Sequence, residues 1–189
     1  MSRIRIIAGT ARGRRLNLVP GKNTRPISDR AKEALFNIIG ADIRECYFLD
    51  LFGGTGSVGL EALSRGAEHA VLVDRSDRAI KTMEANLVLT GFTDKAEIRR
   101  CDALAYLEQK PGCRFDYIYI APPQHKGLWS DALRCLDDNA AWINNDGWTI
   151  AQIHPSEFHE LDMVHLDLFD QRRYGNTMFC FYSGSEGVK

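Results

Sequence analysis

The segment from Leu49 to Gly59, Leu-Asp-Leu-Phe-Gly-Gly-Thr-Gly-Ser-Val-Gly, restricts the fold more than any other stretch of the chain. An apolar run, Tyr47 to Phe52, meets a glycine cluster that opens directly into a helix-period segment from about Ser57 to Arg65. Gly54, Gly56 and Gly59 fit the pattern G-x-G-x-x-G, so a strand turns sharply and presents bare backbone at a helix N-terminus. Such a crossing belongs to parallel sheets with helices on both faces. The rest of the chain keeps that rhythm. Short apolar runs at Ala70 to Asp74, Ala96 to Arg100, Tyr117 to Ala121 and Trp148 to Ile153 predict further strands. Helices are predicted from a Ser28 cap to Gly40 and from a Ser76 cap to Gly91. Two last runs, His165 to Phe169 and Met178 to Tyr182, flank the polar stretch Arg172 to Asn176 and predict a terminal antiparallel hairpin. The expected class is α/β, a doubly wound Rossmann-like sheet.

With 189 residues, 44% of them apolar, the chain can bury one sizeable core. Its near-neutral net charge of −1 hides a sharp partition. Residues 1–32 hold nine basic groups against the single acid Asp29, a net of +8, while the other 157 residues carry 15 basic and 24 acidic groups, a net of −9. Residues 1–27 therefore read as a basic arm, with Arg3 to Ala8 and Arg14 to Val19 able to pair as a small β-ribbon, ahead of a main domain over 28–189. A one-sided basic footprint of Arg3, Arg5, Arg12, Arg14, Arg15, Arg25 and Arg30 suits RNA phosphates. The alternative is a solvated tail that pairs with the acidic body. Five scattered cysteines without a C-x-x-C pair suit reduced thiols and no metal. The absence of an apolar leader or an 18-residue apolar run leads us to expect a cytoplasmic protein with no membrane partner.

The glycine pattern alone is shared by NAD and S-adenosylmethionine proteins. An acid, Asp74, ends the next strand twenty residues after Gly54, where it can accept from two ribose hydroxyls. Asp50 favours S-adenosylmethionine. It closes the first strand where a dinucleotide would place its pyrophosphate, which a carboxylate repels, whereas the cationic amino-acid end of S-adenosylmethionine is attracted. Asp102, at the end of the third strand, can accept from an adenine amine. A strand-end Asp is also a common helix cap, and glycines also serve plain tight turns.

Several segments together carry a resemblance. These are Arg5-Ile6-Ile7-Ala8-Gly9, Gly13-Arg14-Arg15-Leu16, Arg25-Pro26-Ile27-Ser28-Asp29-Arg30, Leu35-Phe36-Asn37, Asp50 to Gly56, and Gly59-Leu60-Glu61-Ala62-Leu63-Ser64-Arg65-Gly66-Ala67. In this order they resemble the bacterial small-subunit ribosomal RNA guanine-N2 methyltransferase family, over roughly residues 3 to 125. The resemblance implies a seven-stranded methyltransferase sheet, S-adenosylmethionine as methyl donor, and ribosomal RNA or a small-subunit assembly particle as partner. It places Asp50, Phe52, Gly53, Gly54, Thr55 and Gly56 in the cofactor loop. Asp74 with Arg75 falls at the ribose, and Asp102 with Ala103 at the adenine.

The family's fourth motif, Asp or Asn, then Pro-Pro, then Phe or Tyr, reads Ala121-Pro122-Pro123-Gln124 here, and these four are the expected catalytic positions. An exocyclic guanine amine is a poor nucleophile because its lone pair is delocalised into the ring. Two acceptors, a side chain and the first proline's carbonyl, orient it towards the methyl group. Ala121 removes the side-chain acceptor, which leaves Gln124 as a substitute and His125 or Trp129 as stacking rings. Two readings stay open: a guanine-N2 methyltransferase, and a relative that binds cofactor and RNA with weakened or lost transfer.

Overall fold

The computed structural model describes residues 4–21 and 27–184. Its centre is a seven-stranded mixed sheet in the order β3-β2-β1-β4-β5-β7-β6. The strands are β1 (Tyr47–Asp50), β2 (His69–Asp74), β3 (Ala96–Arg100), β4 (Phe115–Ile120), β5 (Ile143–Ile153), β6 (Leu166–Tyr174) and β7 (Thr177–Gly184). The first five run parallel, and β7 pairs antiparallel with both β5 and β6. Strand order reverses between β1 and β4, which opens a crevice at their C-terminal ends where α/β sheets bind ligands.

Period-2 alternation divides the sheet's side chains between two cores. Phe48, Tyr117, Tyr119, Ile150, Phe179 and Phe181 face one cluster, covered by α1 (Asp29–Ile39), α2 (Ser57–Ser64) and α3 (Asp77–Thr90). Leu49, Leu51, Ile118, Ile120 and Ala151 face the other, under α4 (Ala103–Leu107) and α5 (Leu128–Asp138). Each helix buries what its sequence offers. In α1 the apolar set Ala31, Leu35, Phe36 and Ile39 points inward, and Ser28 accepts from the Ala31 N–H at 3.2 Å. Every residue of α2 is buried, because the helix is wedged between β1, β2 and the N-terminal segment.

The expected elements are present with shifted limits. β1 stops at Asp50, since Leu51 and Phe52 already turn. The hairpin turn is only Gly175-Asn176, not Arg172 to Asn176: Arg172, Arg173 and Tyr174 continue β6 opposite Phe179, Met178 and Thr177. An edge strand can carry arginines because its side chains reach water. Gly175 takes φ +63°, the left-handed conformation that a tight two-residue turn requires. Ser76 stands at the N-cap of α3 but its hydroxyl makes no capping bond. Helices α4 and α5 go beyond the sequence reading. The ribbon is shorter than expected, with Arg5 opposite Arg15, Ile6 N–H on Arg14 O and Leu16 N–H on Ile4 O, each at 2.9 Å.

Candidate active site

The glycine loop is set by its neighbours on both sides. Leu51 N–H donates to Tyr119 O at 3.0 Å, Gly53 N–H to Val73 O at 2.8 Å, and Gly56 N–H to Gly53 O at 2.7 Å. Gly54 and Gly56 take φ of +56° and +76°. The glycines divide their labour. A Cβ on Gly53 would stand 2.7 Å from Met83 Sδ and one on Gly59 2.3 Å from Leu72 Cδ2, so both are required by packing. At Gly54 a Cβ would meet nothing nearer than Phe52 O at 3.9 Å, which leaves its backbone open to an approaching ligand.

Asp50 lies beneath this loop and is 2% exposed. Its Oδ1 has no hydrogen-bond partner. Burial raises its pKa to about 7; the backbone N–H groups of Gly59 and Phe52 oppose the rise and the nearby Asp74 charge adds to it. An orphaned, buried carboxylate oxygen under open backbone matches the donor-rich cationic end of S-adenosylmethionine. Asp74 ties β2 to the loop, accepting from Gly54 N–H at 3.0 Å and Ser76 N–H at 2.8 Å. Asp102 caps α4 through Leu104 N–H at 3.0 Å, and its other oxygen lies 3.7 Å from Arg75. Both acids thus have a structural task and retain free lone pairs. Phe52 and Thr55 are half-buried in the loop, and Ala103 is buried at the start of α4.

Ala121 and Pro122 are half-buried just past the end of β4, while Pro123 and Gln124 are exposed. His125 follows with φ +60° and donates its N–H to Glu157 Oε1 at 2.6 Å. Trp129 is not a stacking ring: it is 1% exposed, packed against Phe158 and His159 on the α5 side of the sheet. Tyr119 donates its hydroxyl to Gln152 Oε1 on β5, and burial, with the Asp50 charge, holds that phenol well above its ordinary pKa. Two concavities, of about 310 and 700 Å³, lie away from this edge, one at the N-terminal ends of β1 and β4 and one beside β3.

Arg5, Arg12, Arg14, Arg15 and Arg30 are exposed; Arg3 and Arg25 lie outside the described residues. Arg5 pairs with Asp29 at 2.8 Å. The inward side of the segment carries Ile4, Ile6, Ala11 and Leu16 into the first core. Its anchors were not evident from the sequence. Buried Glu61 accepts from Ile7 N–H at 2.8 Å and Ala8 N–H at 2.9 Å, and meets Lys32 Nζ at 3.2 Å and Arg65 Nε at 2.9 Å. Asn86, with no exposed surface, accepts from Asn17 N–H and donates to both Asn17 O and Thr55 O, joining the ribbon to the glycine loop. Among the described residues no group of three or more His, Cys, Asp or Glu is placed to hold a metal ion, and no helix is long and apolar enough to cross a membrane.

Comparison with known proteins gives the same fold and loop order. A candidate rRNA methyltransferase of Bacillus subtilis is 39% identical over 183 residues, 95% of this chain and 98% of that one. Ribosomal RNA small subunit methyltransferase D of Escherichia coli is 36% identical over 143 residues, 76% of this chain and 71% of that one. A solved structure of a candidate methyltransferase from Escherichia coli superposes with a TM-score of 0.86 at 30% identity, covering 97% of this chain and 98% of its own. A family model described as conserved hypothetical protein 95 matches residues 4–183. The chain therefore belongs to that family, the family of the small-subunit ribosomal RNA methyltransferases.

Proposed function

We propose that this chain transfers a methyl group from S-adenosylmethionine to the exocyclic N2 amine of a guanine in small-subunit ribosomal RNA, free or in an assembly particle. The observation that carries the cofactor assignment is Asp50: a carboxylate 2% exposed with an unpartnered Oδ1 directly under the glycine loop. When bound there, S-adenosylmethionine supplies an electrophilic methyl group. Asp50 would accept from its ammonium, the Asp50 to Gly56 loop would offer bare backbone at Gly54, Asp74 with Arg75 would hold the ribose, and Asp102 with Ala103 would receive the adenine edge.

The acceptor side is built from β4's exit. The Pro122 carbonyl accepts one N2 hydrogen of the guanine and turns the amine's lone pair towards the methyl group. Ala121 offers no second acceptor, so Gln124, exposed beside it, takes that role with its amide oxygen. With the cofactor bound, the methyl–sulfur bond would break as the N–C bond forms, and the displaced N2 proton would leave to solvent. Arg5, Arg12, Arg14, Arg15 and Arg30 hold phosphates along the exposed side of the ribbon, and Arg3 and Arg25 extend that basic run in the sequence. The weakened-transfer alternative is favoured by one feature, the missing side-chain acceptor at Ala121.

The deciding experiment follows labelled methyl from S-adenosylmethionine into small-subunit RNA, naked and packaged, with the modified nucleoside identified. N2-methylguanosine in the RNA is the expected product. Cofactor binding without transfer to either form would leave only the binding function.

A further inference from the structure

β4 and β5 run parallel in register, Ile120 opposite Ala151, so the chain leaves both strands side by side at the edge that holds Asp50. One carboxylate joins the two exits. Glu157 Oε1 accepts from His125 N–H at 2.6 Å in the loop after β4, and Oε2 accepts from His154 N–H at 3.1 Å at the end of β5. The imidazoles of His125 and His154 then lie 5.5 Å apart at 53°. His154 Nδ1 accepts from Ser156 N–H at 3.2 Å and meets Ser156 Oγ at 2.7 Å, which fixes that ring. His125 is exposed and held at φ +60°, a conformation uncommon outside glycine and costly unless the surroundings enforce it. Glu157 is what enforces it.

Resting on the methyltransferase reading above, we infer that the exposed His125 ring, braced at a tilt by His154, is the stacking platform for an extruded nucleobase in this chain, and that Glu157 is the positioning residue that sets it. The chemistry fits. An extruded base needs a flat, polarisable partner that tolerates its edge contacts, and imidazole provides one. Gln124 carries no ring and Trp129 is packed away in the second core, whereas His125 follows motif four directly and is exposed, with its ring beside that of His154. A carboxylate shared between the two loops also ties the backbone at both strand exits together. Either loop moving alone would break one of its bonds.

The test uses the full chain in two assays. In the first, methyl transfer to small-subunit RNA particles is followed for His125→Ala, His154→Ala, His125→Phe, Glu157→Gln and Glu157→Ala, with S-adenosylmethionine affinity measured on each as the control for folding. Each histidine-to-alanine change should lower kcat/KM for RNA about tenfold. His125→Phe, which keeps a ring, should stay within about threefold of the parent, and cofactor affinity should not change in any of them. Glu157→Gln keeps one acceptor and should lose less than Glu157→Ala. In the second assay, a single-stranded oligoribonucleotide carrying 2-aminopurine reports stacking by fluorescence quenching, independently of transfer. Alanine variants that transfer at the parent rate overturn the platform and leave the methyltransferase reading standing. A parent that transfers no methyl but quenches, with quenching lost in the histidine variants, keeps the platform and overturns that reading. No transfer and no histidine-dependent quenching overturns both.

Discussion

A carboxylate that is 2% exposed, with one oxygen unpartnered, is costly to keep charged, and Asp50 is that residue at the centre of the site. Its raised pKa of about 7 has two consequences with definite signs. In the unfolded chain it titrates as an ordinary Asp, so between roughly pH 4 and 7 the folded state binds the extra proton and stability falls as pH rises. Asp50→Asn should therefore make the cofactor-free protein more stable than the parent at pH 7.5 and confer a smaller gain at pH 4.5, as read by urea denaturation. Ligand binding has the opposite slope. A cation on Oδ1 favours the ionised carboxylate, so S-adenosylmethionine affinity should rise as pH increases through about 7, and that rise should vanish in Asp50→Asn. Asp74 tests the neutral part of the cofactor: Asp74→Ala removes the ribose acceptors and the Gly54 tie, and calorimetry should show binding weaker by about 1–3 kcal/mol. Saturable NAD binding with no response to S-adenosylmethionine would refute the cofactor assignment. At motif four, Ala121→Asp tests whether Gln124 serves as the second acceptor: with Gln124 in that role the transfer rate should change less than about threefold, whereas a tenfold gain, a change in barrier of about 1.4 kcal/mol, would favour the weakened site.

At the scale of elements, the N-terminal ribbon is part of the main domain's core on one side and an arginine-bearing surface on the other. Ile4, Ile6 and Leu16 enter the same cluster as α1, α2 and α3, and polar side chains from all three helices hold the backbone. Removing the Asn86 side chain strands the Asn17 N–H and two carbonyls, one of them Thr55 O in the glycine loop. Asn86→Ala should lower stability by about 1–3 kcal/mol in urea and also weaken cofactor binding, whereas Arg5→Ala, at an exposed pair with Asp29, should cost under about 1 kcal/mol. Sequence periodicity identified α1, α2 and α3 and all seven strands, because apolar spacing and flanking Ser, Gly and Asp report local structure. It passed over α5, although Trp129, Ala132, Leu133 and Leu136 are spaced as a helix face, because the motif-four departure drew Trp129 towards the site. Five-residue α4 has too few turns to show a period. Of the candidate site, the acids at the strand ends, Asp50, Asp74 and Asp102, were legible as residues that the fold brings to one edge of the sheet. The site was not legible where a contact joins distant segments, since Glu61, Asn86 and Glu157 acquire their partners only from the fold. A hint was present in Lys32 and Asn86, polar residues set on the buried stripes of Leu35-Phe36 and Met83-Leu87.

Across the whole molecule, charge and fold act together. The +8 of residues 1–32 and the −9 of the remainder are fixed by sequence, and the ribbon turns Arg5, Arg12, Arg14 and Arg15 outward while Ile4, Ile6, Ala11 and Leu16 are buried. A tail lying on the acidic body would show its arginines in ion pairs with that body. Arg5 does pair, with Asp29 of the same basic region, but Arg12, Arg14, Arg15 and Arg30 form no ion pair with a described residue. Under the proposed function, the net −9 of the remainder would disfavour phosphate away from the ribbon, and RNA would be steered to the ribbon side, where the Asn86 bridge leads to the glycine loop. Binding of that kind releases counterions, and log affinity falls linearly with log salt at a slope set by the number of phosphates neutralised. Replacing Arg14 and Arg15 together by alanine should make that slope shallower by about 1.4–1.8, two contacts at the 0.7–0.9 expected for each. Because both side chains are exposed, thermal stability should change little, and S-adenosylmethionine affinity should not change at all. An affinity loss at an unchanged slope would mean that these arginines shape the ribbon and touch no phosphate. A shallower slope with intact cofactor binding would separate RNA capture on the ribbon from chemistry at the strand ends.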